Sequence, residues 1–274
     1  MKKSNGRIRT ALFFGAAVFL LFGITAGGLL LSEEAMVTDF SRKELAPGFP
    51  YLFGTDWLGR DMLARTLTGL SMSIRLGLLA AGISSLIALG LGIASATMGR
   101  AVDSVITWII DLVMGIPHIL LLILISYAAG KGLKGVIIGV SLTHWTSLAR
   151  LIRGEVLQLK EASYIKVAKK LGMRPLDIAR KHMLPHLFPQ FLVGLVLLFP
   201  HAILHEASIT FLGFGLSPEQ PAVGVILSES MKYLATGKWW LAVFPGLLLV
   251  LTVMLFDMAG ESLRKLLDPG SVHD

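Results

Sequence analysis

The histidines are the side chains of this sequence that are best suited to bind a ligand. His201 and His205 are four residues apart, so on a helix both imidazoles point from the same face. His144 and His118 also fall in apolar segments, where polar side chains are expensive to bury and usually have a function. Imidazole is a suitable ligand for Ni²⁺, and the chain has no cysteine to compete with it. The candidate metal path therefore contains His201, His205 and His144. Hydrogen bonding of these rings to neighbouring helices is the alternative.

The carboxylate of Glu206 follows this pair, and we interpret it first as structural and second as a cation ligand. A translocation path has to release its ion, so no stable metal site is expected. The sequence contains no Gly-x-x-x-x-Gly-Lys-Ser/Thr loop, no zinc-protease motif and no Gly-x-Ser-x-Gly elbow. We therefore predict that the chain is not an enzyme and binds no cofactor of its own.

The composition predicts a polytopic helical membrane protein that holds these side chains within a bundle. Of the 274 residues, 54% are hydrophobic and only 16% are charged, with a mean hydropathy of +0.72. A soluble domain carries roughly 25% charged residues. A membrane-crossing helix needs about 20 apolar residues. The predicted fold is all-α with six transmembrane helices, at 11–31, 76–98, 112–129, 135–149, 187–214 and 239–260.

The net charge is +7, and the distribution of basic residues along the chain indicates the membrane topology. Segment 150–186 holds nine basic residues, whereas segment 32–70 holds four basic and six acidic residues. Positive residues favour the cytoplasmic side, so both termini are predicted to be cytoplasmic. The resulting division is a cytoplasmic start (1–10), a first span (11–31), an extracytoplasmic segment (32–70), a five-helix core (71–262) that includes loop 150–186, and a cytoplasmic tail (263–274). No nucleic acid partner is expected.

Loop 150–186 is predicted to be helical and amphipathic. Its apolar residues Tyr164, Ile165, Val167, Ala168 and Leu171 fall on one arc of a helix, opposite three lysines. Gly172 is placed to end this helix, and a second short helix is expected over 175–183, before Pro185. Two interpretations fit this pattern. The helix either rests on anionic lipid or docks in the groove of a partner protein.

A sequence pattern in this loop favours docking. Glu161, Ala162 and Ser163, followed by Gly172, Ile178, Leu184 and Pro185, resemble the Glu-Ala-Ala loop of ABC importer permeases, with Ser163 in place of the second alanine. The resemblance implies a coupling helix that is held by an ATPase subunit. ATP and Mg²⁺ would then be bound by the ATPase subunits and not by this chain.

A second motif indicates a particular group of ABC importer permeases. The outer segment contains Gly54, Thr55, Asp56, Gly59, Arg60 and Asp61 in a turn-rich run, in which Asp56, Arg60 and Asp61 are expected to form a local, exposed ion network of low energy. This run resembles the signature of the second permease in dipeptide, oligopeptide and nickel importers, as do segments 206–215 and 257–269. The resemblance implies three kinds of partner besides the lipid bilayer of the cell membrane: a related permease, two ATPase subunits and an extracytoplasmic binding protein.

The substrate is the open question. Residues 200–206 and 142–145 resemble the nickel branch of this family through His201, His205 and His144. We therefore expect nickel or a related transition metal, with di- or oligopeptides as the alternative. A membrane scaffold that recruits a partner without transport is a more distant alternative. Stimulation of a partner ATPase would separate a transporter from a scaffold.

Overall fold

Helices form the regular structure of residues 4–267, the part of the chain that the computed structural model describes. Within that part, the only strand-like pairing is an isolated bridge between Thr55 and Asp61. The all-α prediction is confirmed. The helices are α1 (Ser4–Leu30), α2 (Met62–Thr97), α3 (Arg100–Gly115), α4 (His118–Ala128), α5 (Gly132–Thr143), α6 (Trp145–Glu161), α7 (Ser163–Lys170), α8 (Pro175–Ile178), α9 (Leu184–Phe211), α10 (Val223–Leu234) and α11 (Trp240–Leu267).

Six apolar crossings are present if one broken pair of helices is counted as a span. Five helical segments among the described residues are long and apolar enough to cross a membrane: α1, α2, α5 joined with α6, α9 with the turn before it, and α11. The predicted third span, 112–129, is not one helix, because α3 and α4 meet at an angle of 103°. Ile116 and Pro117 separate the two helices. Proline has no main-chain N–H to donate, and its ring clashes with the preceding turn, so α3 ends before it.

The second span begins much earlier than hydropathy predicts. α2 starts at Met62, whereas the predicted apolar run starts at residue 76. The Asp61 carboxylate accepts hydrogen bonds from Leu63 N at 2.7 Å and Ala64 N at 3.2 Å, which caps the helix. Arg65 in the first turn of α2 and Arg75 just before the predicted run hide this start from a hydropathy scan. At the other end of the chain, α11 continues to Leu267. Residues 268–274, which include part of the motif at 257–269 and of the predicted tail, lie outside the described range.

α2 is the central helix of the bundle and packs along α1, α6 and α9. Small residues allow this close approach, since apolar burial does not drive helix pairing within lipid. Gly92 is one such position. A Cβ atom placed there would lie 2.8 Å from Ala149 O and 2.9 Å from Ile152 Cβ of α6. Gly90 lies two residues earlier, on the opposite side of the same helix, and a Cβ atom added there has nothing within 4 Å.

These two glycines give a matched test of the α2–α6 contact. Gly92→Ala is expected to lower stability by about 1–3 kcal/mol, because overpacking forces the two helices apart. Gly90→Ala is expected to be neutral or slightly stabilising, since alanine favours the helix over glycine. Thermal unfolding of each variant in detergent measures the difference. Equal melting temperatures would show that the contact between α2 and α6 tolerates an extra methyl group.

Candidate functional site

A cavity of about 580 Å³ lies where three parts of the bundle meet. Its wall consists of the break between α3 and α4, the junction of α5 with α6, and α9. The junction lies level with the middle of α2, because Ser141 Oγ donates a hydrogen bond to Ala80 O at 3.3 Å. Polar groups at this depth usually line a pathway or a binding site. The polar lining consists of His118, Thr143, His144, Thr146, Ser147, His201 and His205.

Three of these histidines form a close cluster. His118, His144 and His205 each offer one ring nitrogen, and the three nitrogens lie within 4.8 Å of one another. His144 Nε2 is 3.1 Å from His205 Nδ1. The His118 ring centroid is 4.4 Å from that of His205 and 4.7 Å from that of His144. Because α4, the α5–α6 junction and α9 each contribute one ring, the cluster exists only in the folded bundle.

Main-chain carbonyls orient two of the rings. His144 Nδ1 lies 3.0 Å from Val140 O, and His205 Nδ1 lies 2.8 Å from His201 O. A carbonyl oxygen only accepts, so these contacts place a proton on Nδ1 of both rings, and the lone pair of His144 Nε2 faces the Nδ1–H of His205 at 3.1 Å. His118 Nε2 is buried and has no hydrogen-bond partner among the described residues. The hydrogen bonds therefore fix a lone pair on Nε2 of His144, directed at the other rings of the cluster.

The structure separates the residues of the predicted metal path. His144 and His205 are in the cluster, while His201 lines the same cavity but contributes no nitrogen to it. Glu206 lies on another face of α9, where its buried Oε1 accepts a hydrogen bond from Thr210 Oγ1 at 3.0 Å. His118 was noted in an apolar span but not joined to the others. Pro117, directly before His118, is the sequence signal for a helix break at this point. The break lets α4 pack against α9. Metal binding itself stays a prediction.

The Glu161–Ala162–Ser163 run marks a sharp change of helix direction. α6 ends at Glu161 and α7 begins at Ser163, with the extended residue Ala162 between them. The Glu161 carboxylate is exposed and lies 2.8 Å from Lys166 Nζ. Lys160 Nζ donates to Ala96 O at 2.8 Å, near the end of α2. This run therefore lies at the end of α2 opposite to the 54–61 motif, which directly precedes the start of that helix.

The apolar face of α7 is only partly covered by the chain. Ile165 and Ala168 are buried against the bundle. Tyr164, Val167 and Leu171, which were predicted to share that face, are 48%, 54% and 78% exposed. An exposed apolar patch beside buried residues of the same helix is typical of a surface that contacts a partner.

A glycine turn ends α7 as predicted. Gly172 has φ +78°, and its N–H donates to Lys169 O at 3.0 Å. Met173 N donates to Ala168 O at 3.1 Å, which completes a Schellman motif. The motif fixes the angle at which the chain leaves α7.

The helix predicted over 175–183 is wrong in its end point. α8 ends at Ile178, whose side chain is buried, and a π-helical turn over Ala179–Met183 leads directly into α9. Leu184 begins α9, and Pro185 lies in its first turn. The π-helical turn just before Pro185 already interrupts the α-helical hydrogen-bond pattern, so the missing N–H of proline is accommodated and Pro185 does not mark a helix end.

Comparison with known proteins decides the family. Residues 87–272 match the model of the "Binding-protein-dependent transport system inner membrane component" family. The chain belongs to this family. It is the permease subunit of a binding-protein-dependent ABC importer, and it is a multi-pass membrane protein. The sequence-based prediction of an ABC importer permease is confirmed at this level.

Relatives of this permease carry the names of peptide transporters. The dipeptide transport system permease protein DppC of Bacillus subtilis is 33% identical over 268 residues, covering 97% of this chain and 83% of that protein. The oligopeptide transport system permease protein OppC of the same organism is 34% identical, covering 85% and 76%. Among solved structures, the MetNI methionine ABC transporter in an inward-facing conformation matches with a TM-score of 0.63 at 19% identity, over 76% of this chain and 98% of that one. The last match shows the fold alone. The expected closeness to the nickel branch finds no support in these relatives.

The outer motif of the permease is a buried ion network, not an exposed one. Asp56 is completely buried, and its Oδ2 lies 2.6 Å from both Arg60 Nε and Arg65 Nη1. Arg65 Nη2 continues to Glu229 Oε2 at 3.0 Å, which ties the start of α2 to α10. Asp61, expected in the network, instead caps α2. The sequence could not show Arg65 as the partner, because that residue lies outside the motif.

The other motif residues shape the turn around Asp56. Thr55 Oγ1 donates to Arg42 O and accepts from Leu45 N at 2.8 Å. Gly54 and Gly59 have φ values of +72° and +76°. A Cβ atom on Gly59 would lie 1.8 Å from Asp39 O, so only glycine fits there. The motif therefore holds the extended outer segment against the start of α2.

Proposed function

We propose that this permease forms half of the translocation path of an importer for di- or oligopeptides. The observation that carries this proposal is the similarity to dipeptide and oligopeptide permeases, at 33% and 34% identity over most of both chains. A second, related permease forms the other half of the path. Two ATPase subunits bind ATP and Mg²⁺, and an extracytoplasmic binding protein delivers the peptide. The chain itself makes and breaks no covalent bond.

The charge distribution supports the proposed orientation in the cell membrane. The nine basic residues of segment 150–186 favour the cytoplasmic side, and the acidic excess of segment 32–70 favours the outside. These segments lie at opposite ends of α2, as this orientation requires. Both termini are then cytoplasmic, and the 54–61 motif faces the binding protein's side.

We assign the coupling role to α7 and the turns on either side of it. The exposed apolar side chains Tyr164, Val167 and Leu171 enter a groove of the ATPase subunit, while Ile165 and Ala168 hold α7 on the bundle. Glu161 and Gly172 set the direction of α7 at its two ends. Closure of the ATPases on ATP moves α7, and the bundle switches the side on which the path is open.

Nickel import is the second candidate function, and one specific observation favours it. The cavity at mid-depth contains the cluster of His118, His144 and His205, a donor set that suits Ni²⁺ and neighbouring transition metals. A peptide path has no evident need for three imidazoles in contact. Peptide import follows from the relatives, whereas nickel import follows from this cavity.

Competitive uptake distinguishes the two functions. Cells that express the permease with its partner subunits are offered a radiolabelled dipeptide or radiolabelled nickel. We expect saturable dipeptide uptake that excess unlabelled dipeptide abolishes and nickel leaves unchanged. A His201→Ala, His205→Ala double variant should retain this uptake and its assembly with the partners. Saturable nickel uptake that the double variant loses, with no dipeptide signal, would reject peptide import in favour of the second candidate.

A further inference from the structure

We propose that His118, His144 and His205 bind a divalent transition-metal ion directly, as a three-imidazole site within the cavity. This inference goes beyond peptide import, since the site would bind an ion whether the transported substrate is a peptide or a metal, and the nickel alternative rests on it. It differs from the metal path expected from sequence in its members, because His118 enters while His201 and Glu206 do not. Its basis is the geometry of the three rings and the state of their nitrogens.

The spacing of the nitrogens fits a single ion. Zinc-to-imidazole bonds are about 2.0–2.1 Å long, so two ligand nitrogens at tetrahedral angles lie about 3.3 Å apart. His144 Nε2 and His205 Nδ1 are already 3.1 Å apart. His205 Nδ1 becomes a ligand in the tautomer that carries the proton on Nε2, which gives up the hydrogen bond to His201 O. The full set lies within 4.8 Å, so a modest rotation of the rings brings the third nitrogen to bonding distance.

The hydrogen bonds prepare the rings for this role. Metal-binding histidines almost always donate from the other ring nitrogen to a carbonyl or carboxylate, which fixes the ring and its tautomer. Val140 O performs this function for Nδ1 of His144 at 3.0 Å. His118 Nε2 is buried without a hydrogen-bond partner in the described part of the chain, and an unpaired buried nitrogen is costly. A bound ion would remove that cost.

The donor set decides the class of ion. Three neutral imidazoles without a carboxylate favour Co²⁺, Ni²⁺, Cu²⁺ or Zn²⁺ over Mg²⁺ and Ca²⁺, which prefer oxygen ligands. Three protein ligands leave at least one coordination position open. Thr146 and Ser147 line the same cavity with hydroxyl groups. Water or a donor atom of the transported substrate can fill the open position, so the ion exchanges instead of being locked in place.

Cobalt binding to the purified transporter tests the site without any transport assay. The complete complex, carrying an affinity tag free of histidine, is titrated with Co²⁺ in the absence of substrate and ATP. We expect visible d–d absorption of a four-coordinate cobalt site with one equivalent per copy of this chain. Replacing His144 or His205 by alanine should weaken binding at least about tenfold, since even the loss of an outer-shell partner has an effect of about that size.

Two further variants keep the test decisive. His118→Gln, at the half-buried edge of the cluster, is expected to lose the absorption while the complex still assembles. His186→Ala changes an exposed histidine outside the cavity and should keep the full signal. The proposal is overturned if the parent complex shows no such absorption, or if His118→Gln and His144→Ala bind cobalt as the parent does. Either result would leave peptide import unaffected, and failed peptide uptake would leave the cobalt result unaffected.

Discussion

Asp56→Ala is expected to destabilise the permease by about 3–5 kcal/mol, because it removes the anion from a buried ion network. Arg65 has a side chain only 6% exposed, and Asp56 lies 2.6 Å from its Nη1. Without that carboxylate, Arg65 and Arg60 face each other with Glu229 as the remaining counter-charge, at 3.0 Å from Arg65 and 4.0 Å from Arg60. Leu58 N and Arg60 N also lose their acceptor, Asp56 Oδ1.

Thermal unfolding of the complex in detergent measures this effect, with Asp111→Ala as the control. Asp111 also pairs with an arginine at 2.6 Å, but the side chains of Asp111 and Arg150 are 63% and 49% exposed. Exposed pairs contribute about 0–1 kcal/mol, so the control should unfold close to the parent. Asp56→Asn separates charge from shape, since the amide still accepts hydrogen bonds. Equal melting temperatures for Asp56→Ala and Asp111→Ala would show that the network does not hold α2 to α10.

The helices of this permease could be predicted from sequence because hydropathy is a local property. The uninterrupted apolar runs of about 20 residues at 11–31 and 239–260 mark α1 and α11 whatever surrounds them. Boundaries depend on neighbours instead. α2 begins at Met62, well before its apolar run, because the Arg65 side chain finds Asp56 and Glu229 in the fold. The angle of 103° at Pro117 likewise depends on packing, since proline dictates a break but not its size.

The candidate site was predictable only in part, for the same reason. The four-residue spacing of His201 and His205 correctly placed both rings on one cavity. The same periodicity says nothing about His118 and His144, which reach His205 through contacts between separate helices. Glu206 adjoins His205 in sequence, yet one residue turns a helix by 100°, so its carboxylate points to Thr210 instead. Neighbours in sequence and neighbours in space are different sets here.

Gly172→Val is expected to reduce uptake at least tenfold while leaving the folded complex intact. This prediction rests on the proposed coupling role of α7. Gly172 has φ +78°, a conformation that costs a residue with a Cβ roughly 1–2 kcal/mol, and a β-branched valine more. The chain relieves that strain by opening the Schellman turn, which re-aims α7 relative to α8. The exposed face of Tyr164, Val167 and Leu171 then no longer meets the ATPase at the required angle.

Gly237→Val is a control with the same local chemistry at the other end of the bundle. Gly237 has φ +82°, and it ends α10 with the same pair of hydrogen bonds, from Gly237 N to Leu234 O and from Lys238 N to Tyr233 O. A Cβ atom meets nothing within 4 Å at either glycine, so both variants carry only backbone strain. ATP hydrolysis in proteoliposomes, with and without binding protein, and uptake in the same vesicles measure the outcome. Substrate-stimulated hydrolysis and uptake should fail in Gly172→Val and persist in Gly237→Val. Equal uptake by the two variants would mean that the turn after α7 transmits no motion, because the same strain would then have the same effect at both ends.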